Sequence, residues 1–244
     1  TEYLGIHFDA AGKSPLQLRK IRQALNWGID RRQMLRTLRN GVGQGADAGF
    51  TPRGLPSFNP DLVPGYGYDP ARAARLLAEA GFPQGRGLPE ITLLCNADYL
   101  DLCTFVVRQW EDLGMHVRLE SLETALLRER MRNGTAPFFR ASWIADYPDA
   151  ESFLTCFYAK NTAPPNYTQF QNAEFDRLYA HALRETDAPK RYLLYQAMDR
   201  ILVEEAPVVF LFYDETAQFA RRGITGLPHN AINLLDLKRV KVVR

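Results

Sequence analysis

Apolar positions recur along this 244-residue chain with two different periods. YLGIHF, residues 3–8, reads as a short strand. Leu18, Ile21, Leu25 and Ile29 then fall at helical spacing. Asp30 followed by Gln33 predicts a capping box opening a second helix that ends near Asn40 and Gly41. Residues 41–68 hold many Gly and Pro and almost no periodicity. They predict a long surface-hugging loop, of the kind that is functional or tied down by packing. Asp69 and Pro70 supply the N-cap and first position of the next helix, and Gly81 its stop.

From there the pattern alternates. EITLLCN (90–96), MHVRLESL (115–122) and PFFRASWI (137–144) read as strands. Helices over 99–113 and 123–133 lie between them, stopped at Gly114 and at Asn133-Gly134. Strand-helix-strand-helix-strand with short links predicts a parallel sheet with helical crossovers. Two more helices follow, near 173–185 and 188–204. A strongly apolar strand, APVVFLFYD (206–214), and a tail of short strands and turns complete the chain. The class is α/β. The first strand and the strand after Ala206 bracket the layered body, as when a lobe is inserted into another domain.

Hydrophobic content of 46% and charged content of 24% are ordinary for a globular protein. The net charge of +2 argues against a dedicated nucleic-acid binder. No apolar run is long enough to span a bilayer. Thr1 is expected to be a processed or cut end that does not report the compartment. Cys95, Cys103 and Cys156 have no Cys-x-x-Cys spacing and read as buried apolar residues. His7, His116, His181 and His229 are scattered without metal-ligand spacing, so no metal is expected. There is no Gly-x-Ser-x-Gly elbow. GVGQG (41–45) follows a helix and lacks the Lys-Ser/Thr of a phosphate loop, so it reads as a helix stop. Arg128, Arg130 and Arg132 read as solvated helix surface. No catalytic group and no cofactor are expected.

WIADYPDAESFL, residues 143–154, is different. Arg140 and Ser142 can share one face of a strand, and Asp146 follows its C-terminal end, where ligands bind in open parallel sheets. One cation and one anion there would suit a zwitterion. On the residues alone, a surface strand residue and a turn cap are the more ordinary reading.

RASWIADYPDAESFL is similar to the signature segment of family 5 solute-binding proteins, the large extracytoplasmic peptide-binding proteins of ABC importers. IRQALNWGIDRRQML, GYDPARAARLLAEAGFP, YLGIHF and APVVFLFY resemble the same family in the same order, across nearly the whole chain. The resemblance implies a lobe of the periplasmic binding protein type II kind, with a mixed, mainly parallel sheet flanked by helices. It divides the chain into a first hinge strand (1–9), an inserted ligand-binding lobe (10–205), and a return hinge strand with the last strands of the large lobe (206–244). Family members run to about twice this length, so most of the large lobe is expected to be missing and the crossing strands to leave edges open to self-association.

By position, the resemblance implies that Asp146 holds a cargo's α-ammonium and Arg140 a carboxylate, with Trp143 and Tyr147 flanking them. Tyr99, Leu100 and Asp101 stand where some members carry a histidine for longer ligands. The implied partners are a peptide ligand and ABC permease and ATPase subunits, outside the cytoplasm. Membrane contact is implied only through the transporter or a lipid anchor beyond this chain. Alternatives on the same fold are a nickel chelate, haem, a sugar or a modified amino acid as cargo, or a peptide sensor.

Overall fold

The computed structural model describes residues 1–9, 14–215, 219–228 and 236–243, so His229 and the parts of segments 10–205 and 206–244 between these spans lie outside the described residues. The chain runs β1 (Glu2–Ile6), α1 (Arg19–Trp27), α2 (Arg31–Arg39), β2 (Gln44–Gly45) and α3 (Pro70–Glu79). It continues with β3 (Ile91–Asn96), α4 (Leu100–Glu111), β4 (Val117–Leu122), α5 (Thr124–Arg132) and β5 (Phe138–Ser142). The last elements are α6 (Glu151–Leu154), α7 (Ala173–Ala182), α8 (Ala188–Glu205), β6 (Val208–Tyr213), β7 (Ile224–Thr225) and β8 (Lys241–Val242).

The helix boundaries follow their caps. Asp69 accepts from the Arg72 N–H at 2.8 Å, with Pro70 at the first helical position. Asp30 accepts from the Gln33 N–H at 2.9 Å, and Asn40 ends α2 in the left-handed region at φ 52°. The reciprocal half of the expected capping box comes from elsewhere: the Asp30 N–H donates to Gln109 Oε1 at 3.0 Å.

Six strands form one sheet in the order β2-β6-β1-β5-β3-β4. β3, β4, β5 and β6 run one way, and β1 and β2 the other. The sheet is therefore mixed and mainly parallel, and both its faces are buried. Leu4, Leu93, Phe138 and Val209 point into a core shared with α1 to α4, while Tyr3, Leu94, Phe139 and Phe210 point into a second core. That second core includes Leu127 of α5, Phe153, Phe175, Met198, Leu202 and the loop residues Phe50 and Tyr66. Successive strand residues face opposite ways, so these apolar runs need cover on both sides.

The crossover from β3 to β4 carries α4 on the first face; the return from β4 past β3 to β5 carries α5 on the second. Right-handed crossovers require that change of face when the strand order reverses. The strand order therefore reverses between β3 and β5.

The two bracketing strands require a correction. β1 pairs with both β5 and β6, and β6 with both β1 and β2. They are interior members of the sheet, and every residue of each is buried. Their pairing capacity is used internally, so they present no edge for self-association. The edge strand β4 is flanked by charge instead, with Arg118–Glu90 at 3.2 Å and Arg130–Glu120 at 3.3 Å. Close approach of β1 to β5 needs Gly5, where an added Cβ would lie 2.5 Å from the Phe139 ring.

Candidate functional site

The carboxyl ends of β3, β4, β5 and β6 share one end of the sheet with the first residue of β1, because β1 is antiparallel to its neighbours. Asn96, Ser142, Glu2 and Asp214 therefore converge there. In open α/β sheets this end, at the strand-order reversal, is where ligands are received.

Asp146 lies just beyond it. β5 stops at Ser142, and the chain turns through residues 143–150 into α6. That turn is held by backbone and by buried partners. The Trp143 indole N–H donates to the Ser152 carbonyl at 2.5 Å, and the Asp146 N–H donates to Ser152 Oγ at 3.0 Å. Ser152 itself is buried. The Glu151 N–H donates to Asp149 Oδ1 at 3.0 Å, and Arg191 reaches Asp149 at 3.6 Å. The Glu151 carboxylate accepts the hydroxyls of both Tyr147 and Tyr179. Burial, and then this acceptor, push the Tyr179 phenol above its ordinary range.

The carboxylate of Asp146 is exposed and takes no hydrogen bond or ion pair from any described residue. Its backbone is fixed while its charge faces solvent. That is the arrangement a counter-ion for an incoming cation requires, since the anchor is pre-organised and nothing must be displaced.

Arg140 stands differently. It is buried, and it ion-pairs with the buried carboxylate of Glu2. Leu4 lies opposite Arg140 and Glu2 opposite Ser142, so Glu2 and Arg140 are diagonal neighbours on one face. The Tyr99 ring covers the guanidinium. Burial raises the Glu2 carboxyl, and Arg140 opposes that rise. The expected cationic groove residue is thus already matched within the lobe. Ser142 is exposed at the strand end, Trp143 is half-buried, and Tyr147 is exposed with its hydroxyl on Glu151. The site brings Ser142, Trp143, Asp146 and Tyr147 into one turn, with Arg140 inside the body beneath it.

Glu2, Glu151 and Ser152 were not visible as site residues in the sequence, and Tyr99 was marked only by the family resemblance, not as a partner of Arg140. Ser152 and Glu151 carry a local signal, because they follow Asp149 as a capping segment does. Glu2 carries none: its partner is 138 residues away, across a strand pairing.

The model of the bacterial extracellular solute-binding proteins, family 5, middle region, matches residues 1–165. Heme-binding protein A of Haemophilus influenzae is 30% identical over 202 residues, covering 80% of this chain and 36% of that protein. The periplasmic murein peptide-binding protein MppA of Escherichia coli is 28% identical over 236 residues, covering 93% of this chain and 43% of that protein. The solved structure of the Escherichia coli murein tripeptide binding protein MppA superposes with a TM-score of 0.82 at 25% identity, covering all of this chain and 48% of that one. The chain thus spans less than half the length of these relatives.

Proposed function

This chain belongs to the bacterial extracellular solute-binding proteins, family 5, and from that premise we propose that the whole protein is the cargo-binding subunit of an ABC importer, taking extended oligopeptides. The carrying observation is the exposed carboxylate of Asp146, without a partner among the described residues, on a turn fixed by Ser152. A free ammonium leaving water needs a paired anion, because an unpaired buried charge is very costly. Peptide backbone groups would pair in strand fashion along the cleft, with looser side-chain pockets, so many sequences are accepted. Ser142, Trp143 and Tyr147 would flank the amino end.

The course of the two bracketing strands supports a reading in which a second lobe closes on this one. The start of β1 and the end of β6 are neighbours at the same end of the sheet as Asp146. A lobe hung from those two strands faces the turn, and hinge closure over cargo would present the closed form to a membrane permease. The protein performs no chemistry on its cargo in this reading, and it works outside the cytoplasm.

A second reading is haem as cargo, favoured by the 30% identity to a heme-binding protein. Native mass spectrometry of the whole protein, purified from its own cells, separates the two. A ladder of peptide masses is expected; a single non-peptide mass such as haem overturns the peptide reading.

A further inference from the structure

Among the described residues, three arginines at the carboxyl end of the sheet are matched there. Arg140 pairs with Glu2, Arg39 with Asp214 at 2.5 Å, and Arg191 with Asp149 at 3.6 Å. Only the first pair is shut away from solvent: the Arg140 and Glu2 side chains are 9% and 7% exposed, even with no second lobe above them. The Tyr99 ring lies over the guanidinium, on the side facing the end of β3. The guanidinium donates through Nη2 to Glu2, and its Nε is buried without a hydrogen bond. The anion on the adjoining turn, Asp146, is exposed and unmatched.

We infer that Glu2 is a specificity-determining residue: by occupying Arg140 it removes a carboxylate-binding cation from the cleft wall, leaving a lobe that grips cargo by an amine and accepts cargo without a free carboxylate. The inference rests on the proposed role of Asp146 but adds a separate property, indifference to the cargo's acidic end. Its physical basis is the energetics of buried pairs. Withdrawing Arg140 from Glu2 to meet a ligand would leave the Glu2 carboxylate buried without its counter-charge, and a buried charge stripped of its partner is strongly unfavourable. A cargo carboxylate offers Arg140 no more than Glu2 already does. The ligand class is therefore amine-bearing chains whose far end is unread by this lobe, including C-terminally blocked or extended peptides.

The test is calorimetric titration of the whole protein with one peptide in three forms: free acid, C-terminal amide and N-acetylated. Acid and amide are expected to bind within about threefold of each other. Acetylation is expected to weaken binding tenfold or more. A parent preference for the acid of tenfold or more overturns the inference. Loss of the acetylation effect alone overturns the role of Asp146 and leaves the acid-to-amide ratio as an independent reading.

Glu2→Gln is expected to free Arg140 and create a tenfold preference for the acid. Because that variant can lose stability, the pair is also replaced together, as Glu2→Met with Arg140→Met, an exchange buried ion pairs often tolerate. The double variant is expected to bind acid and amide as the parent does. A tenfold loss confined to the acid would show Arg140 at work on the cargo and contradict the inference.

Discussion

Asp199 shows at the scale of one residue how this lobe holds its longest loop. Its carboxylate is buried and accepts the Phe50 and Thr51 N–H groups at 2.7 and 3.3 Å, pinning residues that fill the second core. Burial pushes its pKa up to about 6, and the two backbone donors only partly offset that rise. The folded state then binds a proton that the unfolded state, near 3.8, has released. Stability from this group is full below about pH 4 and is lost as pH rises through 6. Asn in its place offers the same acceptor without the charge. Denaturant unfolding of parent and Asp199→Asn should therefore show the difference moving in the parent's favour by about 2–3 kcal/mol between pH 7 and pH 4. A difference that does not change with pH would refute the assignment.

At the scale of elements, the β1–β5 pairing leaves no room for a side chain at Gly5. A methyl at Gly5 would meet two ring carbons of the fully buried Phe139 at 2.5 Å. Gly5→Ala is expected to lower stability by about 1–3 kcal/mol, and Phe139→Leu in that background to restore part of it, both read from unfolding midpoints. A neutral Gly5→Ala would mean that the strands lie further apart. Elements of this kind mark the boundary of what sequence shows. Helices and the three crossover strands were legible because their signals are local: Asp69-Pro70, Asp30, Asn40, and apolar period against Gly stops. The placement of β1 and β6 was not, since a run such as VVFLFY says that both faces are covered but not by which neighbours. The site divides the same way. The turn that carries Asp146 was legible from its segment, whereas the neutralisation of Arg140 depends on a residue 138 positions away.

At the scale of the whole molecule, one end of a twice-covered sheet carries everything that would meet cargo: the strand-order reversal, the Asp146 turn and the two strands from which a second lobe would hang. This end of the sheet is asymmetric, with an anion facing out and a cation turned inward and matched. The most direct measurement is a binding cycle on the whole protein, parent and Asp146→Asn, against a peptide and its N-acetylated form. Asp146→Asn is expected to weaken the free peptide by about 1.5–3 kcal/mol, and acetylation to cause little further loss in the variant. Equal binding of all four combinations, or two losses that simply add, would contradict a contact between the Asp146 carboxylate and the cargo's ammonium.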